Sequence, residues 1–120
     1  MDITMLIGGA DTPAADDSLF ERRNPVSGDV ATRAPAAKPA DVDKAVEAAA
    51  AAFPEWSEMG PGARRKILNK AADALDAHTE EFIKTAMAET GATGPWIGFN
   101  VMLAANMLRE AASMTTQVTG

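Results

Sequence analysis

A turn-forming run near the start of the chain separates two short β-prone segments. Asn24 can close an Asx turn on its own backbone, Pro25 fixes φ at about −65°, and Gly28 can adopt positive φ. We therefore predict a turn that joins a strand over 19–23 to a second strand over 30–33.

The residues around this hairpin have different patterns. Residues 1–7 are β-prone and begin with alternating apolar and polar residues, so they predict an edge strand that ends at Gly8-Gly9. The acid-rich segment 10–18 is expected to be a surface loop, and residues 34–38 are expected to be a linker.

The spacing of apolar residues becomes helical from Pro39 onward. Three prolines suit the beginning of a helix, namely Pro39, Pro61 and Pro95. Backbone N–H groups in the first turn have no hydrogen-bond partner within the helix, so proline, which lacks this group, loses no helical hydrogen bond there. Thr79 suits the N-cap of a further helix, whose first turn is acidic. The chain is therefore predicted to be mostly α-helical, with about four helices preceded by short β-strands.

Two residues are expected to end helices. Pro54 should stop the first helix near Ala52, because the proline ring removes a hydrogen bond and clashes with the preceding turn. The corner formed by Phe53, Pro54 and Trp56 would then bury two aromatic rings. Gly91 should close the third helix by adopting the left-handed conformation just past its end.

The last predicted helix carries two apolar faces. One face comprises Ile97, Val101, Ala104, Leu108, Ala111 and Val118, and the adjoining face comprises Trp96, Phe99, Leu103, Met107 and Met114. Two such faces exceed what a small bundle usually buries. This excess predicts a further layer that covers the second face.

Composition excludes several classes of protein. The 120 residues are enough for one domain, and the net charge of −6 argues against nucleic-acid binding, which needs clustered Lys and Arg. No cysteine is present, so disulfides and thiolate metal sites are excluded, and the presence of a single histidine, His78, argues against a zinc site. No apolar run approaches the ~20 residues that span a bilayer. We therefore expect a cytoplasmic protein that uses neither membrane nor nucleic acid.

Several short motifs occur in an order that resembles the start of the NAD(P)-dependent aldehyde dehydrogenases. These are Leu6-Ile7-Gly8-Gly9, Arg23-Asn24-Pro25, Ala52-Phe53-Pro54-Glu55-Trp56, the segment from Arg64 to Leu68, and Glu89-Thr90-Gly91. The stretches from Trp96 to Val101 and from Leu108 to Gln117 look most like the salicylaldehyde and vanillin dehydrogenase branch.

The resemblance implies an α/β parent enzyme that oxidises an aromatic aldehyde to a carboxylate with NAD or NADP. Residues 1–38 would form the N-terminal strands, turn and linker, and residues 39–120 would form the helical part of the N-terminal, cofactor-binding domain. The catalytic domain would be absent. The family uses a cysteine thiolate as its nucleophile, so we expect this chain alone to be inactive and to bind no cofactor.

The resemblance also points to two groups of site residues. Trp96, Phe99, Asn100 and Leu103 would line the tunnel through which the aldehyde reaches the nucleophile. Arg22, Arg23 and Glu89 would contribute to a monovalent cation site, through backbone carbonyls and a carboxylate. No catalytic or cofactor-binding residue is expected within the chain.

Structural readings compete with these assignments. Core packing explains Phe99 and Leu103 about equally well, and Glu89 could be an exposed residue of a last helical turn. Gly8-Gly9 precedes a polar loop, so it does not satisfy the dinucleotide fingerprint. The alternative for the whole chain is a non-enzymatic helical module whose two-faced last helix binds a partner. Separately, the broad apolar surface of the last helix predicts that the fragment self-associates when the layer that covers this surface is missing.

Overall fold

The computed structural model describes residues 1–117, which form four strands followed by four helices. The strands are β1 (Met5–Ile7), β2 (Ala10–Thr12), β3 (Leu19–Arg23) and β4 (Val30–Pro35). The helices are α1 (Pro39–Glu58), α2 (Pro61–Ala77), α3 (Thr79–Thr90) and α4 (Gly94–Met114). The chain divides into two compact units, Met1–Glu58 and the residues from Met59 onward.

The first unit begins with a hairpin that the sequence did not predict. β1 pairs antiparallel with β2, and Gly8 and Gly9 connect them with φ values of 60° and 81°. Two successive positive φ values are what a tight two-residue hairpin turn requires. The predicted loop over 10–18 was therefore wrong for its first three residues, because the glycine turn specifies a strand that its side-chain pattern does not.

The predicted hairpin over 19–33 is confirmed. β3 pairs antiparallel with β4, and the Asn24 Oδ1 atom accepts hydrogen bonds from the backbone N–H groups of Val26 at 2.8 Å and Ser27 at 3.2 Å. Gly28 has a φ of 80°. β4 continues to Pro35, so the first two residues of the predicted linker belong to this strand.

A buried carboxylate fixes the start of α1. The Asp41 Oδ2 atom accepts hydrogen bonds from the backbone N–H of Lys38 at 2.9 Å and of Ala15 at 3.1 Å. These bonds, first that of Lys38 and then that of Ala15, lower the pKa of Asp41, and the nearby ammonium of Lys44 acts in the same direction. Asp41 therefore caps the helix and also ties the loop before β3 to it.

α1 does not end where the sequence predicted. It passes through Pro54 and continues to Glu58. The carbonyl of Ala50, which loses its helical partner, belongs to an exposed residue and can bind water instead. The predicted burial of two rings was also wrong, because Phe53 is 64% exposed and Trp56 is 42% exposed within this chain.

The second unit packs α4 against both α2 and α3. Its buried residues are Ala72, Ile97, Val101, Ala105 and Ala112. The predicted core positions Ala104 and Ala111 are exposed, and the following alanine is buried in each case. Hydropathy cannot distinguish two adjacent alanines, so only the rotation of α4 against its neighbours decides between them. Val118 lies outside the described residues.

The junction between α2 and α3 differs from the prediction by one residue. His78 ends α2 and caps α3, while its exposed ring places Nδ1 3.0 Å from Glu81 Oε2. Thr79, the predicted cap, is the first residue of α3, and its hydroxyl donates to the Asp76 carbonyl at 2.8 Å. Gly91 closes α3 as predicted, with a φ of 71° and its N–H donating to the Met87 carbonyl.

No helix within residues 1–117 is long and apolar enough to cross a membrane.

Candidate functional site

The four predicted tunnel residues lie on one face of α4. Trp96, Phe99, Asn100 and Leu103 follow the i, i+3, i+4, i+7 spacing, so they form a continuous strip that we call the α4 stripe. All four are exposed within this chain, including Trp96 at 60%. The exposed Met107 extends the stripe by one more turn.

The beginning of α4 explains why this face points away from the second unit's core. Thr93 caps the helix, and Gly94 and Gly98 lie against α3. A Cβ atom on Gly98 would lie 3.5 Å from Ile83 Cδ1, which is ordinary van der Waals contact. Because the glycines and the buried residues of α4 share one side, helical geometry places the α4 stripe on the opposite side.

The α4 stripe combines stacked rings with one amide. The ring centroids of Trp96 and Phe99 are 5.8 Å apart, with an interplanar angle of 27°. The Asn100 Nδ2 atom donates a hydrogen bond to the Trp96 carbonyl at 2.7 Å. The stripe contains no group that acts readily as an acid, base or nucleophile, so its chemistry is that of a binding wall for a flat apolar molecule.

The predicted cation ligands lie in different units. Arg22 and Arg23 belong to β3, where the Arg22 guanidinium lies 5.8 Å from the centroid of the Phe20 ring. The Arg23 guanidinium donates to the Gly28 carbonyl at 3.1 Å and also pairs with Glu21. Glu89 lies in the last turn of α3 and is half-buried rather than fully exposed.

Residues 1–117 contain no group of three or more His, Cys, Asp or Glu side chains that could hold a metal ion. The predicted site relies on backbone carbonyls and a single carboxylate, so this finding does not test it. It stays a prediction.

The glycine pair at the start of the chain does not form a cofactor loop. Gly8 and Gly9 connect two strands of a hairpin, whereas a dinucleotide-binding turn leads from a strand directly into a helix. This hairpin therefore does not match the strand-turn-helix fingerprint of a dinucleotide-binding turn.

A concave surface lies between α2 and α4, within the second unit. It is an open groove of about 430 Å³, lined by Arg65, Asn69, Arg109, Ala112 and Ser113. The Arg65 Nε atom donates to the Ala112 carbonyl at 3.0 Å. Arg109 Nη2 donates to Asp76 at 2.7 Å and to Asp73 at 2.9 Å, and these bonds raise the pKa of Arg109.

Both arginines therefore clamp α2 to α4. No local sequence pattern predicts this clamp, because Arg65 and Ala112 are 47 positions apart in the chain.

Comparison with known proteins identifies the family. The sequence model of the aldehyde dehydrogenase family matches residues 12–120, so the chain belongs to this family. The chain is 57% identical over 120 residues to a vanillin dehydrogenase from Pseudomonas fluorescens. The aligned region covers 100% of this chain and 25% of that protein.

Solved structures agree with this assignment. A salicylaldehyde dehydrogenase from Pseudomonas putida G7, complexed with salicylaldehyde, superposes with a TM-score of 0.95 at 42% identity, over 98% of this chain and 24% of that one. An NAD-dependent benzaldehyde dehydrogenase from Corynebacterium glutamicum gives a TM-score of 0.90 at 34% identity, over 96% and 25% of the two chains.

These matches confirm the family and the predicted α/β parent fold, of which this chain is a mostly helical segment. The relatives named here are dehydrogenases of vanillin, salicylaldehyde and benzaldehyde. The chain spans about a quarter of the length of the relatives it matches.

Proposed function

We propose that this chain is the N-terminal part of an NAD(P)-dependent dehydrogenase that oxidises an aromatic aldehyde to the carboxylate. The observation that carries the proposal is the α4 stripe, where the stacked rings of Trp96 and Phe99 face away from the unit's own core. The relatives described above are named for vanillin, salicylaldehyde and benzaldehyde, which are all aromatic aldehydes. Family membership favours this enzyme over the alternative of a non-enzymatic binding module.

The α4 stripe would serve as one wall of the substrate path. An aromatic ring stacked on an indole gains about 0.5–1.5 kcal/mol beyond the contribution of its buried area. Phe99 supports the Trp96 ring from one side, and Leu103 continues the apolar surface along the helix. Such a wall would hold a flat substrate while leaving the chemistry to other groups.

The chemistry itself would need groups beyond these residues. In the proposed reaction a cysteine thiolate outside these residues would add to the aldehyde carbon, and the oxidised nicotinamide, when bound, would accept the hydride from that carbon. Water would then hydrolyse the resulting thioester to carboxylate and thiol. This chain contains no cysteine. Residues 1–38 would supply the N-terminal strands, turn and linker, and residues 39–120 the helical part of the cofactor-binding domain.

Three further assignments belong to the same proposal. The backbone carbonyls of Arg22 and Arg23, with the Glu89 carboxylate, would bind a monovalent cation. The exposed apolar face of α4 would make the separate chain self-associate. The enzyme would work in the cytoplasm, which suits a segment without cysteines.

Replacing Trp96 tests the proposed substrate wall in the full-length enzyme. Trp96→Ala should lower kcat/KM for benzaldehyde roughly tenfold, because the ring loses its stacking partner, and should affect a short aliphatic aldehyde much less. The measurement is the ratio of kcat/KM for the two substrates, together with the melting temperature. Trp56→Ala removes the other indole and serves as the matched control, for which the ratio should not change.

A structural role for Trp96 would give a different result. Both substrates would then lose activity in parallel and the melting temperature would fall by several degrees, since truncating a buried aromatic costs about 3–5 kcal/mol. That combination would rule out the assignment of Trp96 to the substrate path.

A further inference from the structure

The carboxamide of Asn100 has a fixed orientation on the α4 stripe. Its Nδ2 atom lies 2.7 Å from the Trp96 carbonyl oxygen. A carbonyl oxygen can only accept a hydrogen bond, so the end of the amide directed at it must be the N–H donor. The Oδ1 atom is therefore the end of the amide that remains for another partner, and none of the hydrogen bonds within residues 1–117 uses it.

This oxygen differs chemically from the rest of the α4 stripe. Phe99 and Leu103 carry no polar group, and the Trp96 indole N–H can only donate. Among Trp96, Phe99, Asn100 and Leu103, Asn100 Oδ1 is thus the one side-chain acceptor, and it lies one helical turn from the indole. The bond to the Trp96 carbonyl holds the amide in place, so little rotational freedom is lost when a ligand binds.

An acceptor beside an aromatic wall recognises a donor attached to an aromatic ring. A phenolic hydroxyl is such a donor, whereas an unsubstituted ring and a methyl ether offer none. We propose that Asn100 Oδ1 accepts a hydrogen bond from a ring hydroxyl of the substrate, so that Asn100 selects hydroxylated aromatic aldehydes over those without a hydroxyl. This inference rests on the proposed function and specifies the substrate class of the same site.

Matched pairs of substrates test the role of Asn100 in the full-length enzyme. The pairs are 4-hydroxybenzaldehyde with 4-methoxybenzaldehyde and 2-hydroxybenzaldehyde with 2-methoxybenzaldehyde, assayed at a pH that keeps the phenols protonated. Asn100→Leu should lower the kcat/KM ratio of hydroxy to methoxy substrate roughly three- to tenfold for at least one pair, the range expected for one neutral hydrogen bond. Benzaldehyde should remain a substrate of this variant.

Two further variants separate recognition from folding. Asn106→Leu makes the same chemical change at another exposed position of α4 and should leave both ratios unchanged. Asn100→Ser can still bond the Trp96 carbonyl through its hydroxyl but withdraws the acceptor towards the helix. It should therefore lose the hydroxyl preference as Asn100→Leu does, and it provides the test if the leucine variant does not fold.

The outcomes distinguish this inference from the function on which it rests. Unchanged ratios in Asn100 variants that still oxidise benzaldehyde would overturn the role of Asn100 alone. Failure of the wild-type enzyme to oxidise any of the five aldehydes would overturn the proposed function and this inference together.

Discussion

Asp41 shows how one residue can hold two segments of the first unit. Its side chain is 1% exposed, and its Oδ2 atom accepts backbone N–H groups from both the start of α1 and the loop before β3. These bonds are stronger to the ionised carboxylate than to the neutral acid, which explains why the pKa of Asp41 is lowered from its ordinary value of 3.8. A carboxylate also suits the positive end of the α1 dipole.

We predict that Asp41→Asn lowers the melting temperature of the chain by several degrees, because a neutral amide accepts these N–H bonds more weakly than a carboxylate. The matched control is Asp43→Asn, which removes the same charge from an exposed position of α1 and should change the melting temperature little. An equal effect of the two variants would show that only the charge near the helix start matters.

The lowered pKa of Asp41 also predicts a pH dependence. In the unfolded chain the carboxylate of Asp41 binds a proton at about the ordinary pKa of 3.8. In the folded chain the same carboxylate binds a proton only at lower pH. The contribution of Asp41 is therefore fully present above the ordinary value and is lost as the pH falls through the lowered one. The stability difference between wild type and Asp41→Asn, measured by denaturant unfolding, should shrink across that acidic range and stay constant at neutral pH. A difference that grows on acidification would contradict this account.

At the scale of elements, the sequence predicted where helices begin better than where they end. Pro39 and Pro61 stand at the first positions of α1 and α2. Proline suits this position because the first turn of a helix does not use its N–H group, and this property depends only on the local sequence. Pro54 did not end α1, since a single lost hydrogen bond on an exposed helix can be offset by water. β2 was missed because its pairing depends on the Gly8-Gly9 turn and not on its own side chains.

Two neighbouring alanines on α4 test which face of this helix is buried. Ala105 is fully buried, and Ala104 is exposed. Ala105→Leu should lower the free energy of unfolding by about 1–3 kcal/mol, because extra methylene groups do not fit into a packed helix interface. Ala104→Leu should change it by less than about 0.5 kcal/mol. Denaturant unfolding of both variants measures this, and a reversed order would mean that α4 is rotated by one residue.

At the scale of the whole molecule, the candidate site could be predicted only in part. The helical spacing of Trp96, Phe99 and Leu103 was visible in the sequence, because a period of 3.6 residues is local. That this face would be exposed depended on α2 and α3 packing against the opposite side, which no local pattern encodes. The role of the α4 stripe in a substrate path came from the family resemblance, and its test requires the full-length enzyme.

The exposed apolar face of α4 predicts how the separate chain behaves in solution. With Trp96, Met107 and Met114 between 48% and 65% exposed, we expect the 120-residue chain to self-associate at high concentration. Sedimentation velocity should show species larger than the monomer, and Met107→Lys should reduce them by placing a charge on this face. A strictly monomeric wild-type chain that binds no apolar dye would contradict the prediction.

The most direct test of the account compares the full-length protein with the 120-residue chain in one assay. Each is mixed with benzaldehyde and either NAD or NADP, and formation of the reduced nicotinamide is followed by its absorbance. The account predicts that the full-length protein oxidises benzaldehyde with at least one cofactor and that the chain alone, which has no cysteine, does not. A full-length protein that oxidises no aromatic aldehyde, or a chain that oxidises benzaldehyde by itself, would contradict it.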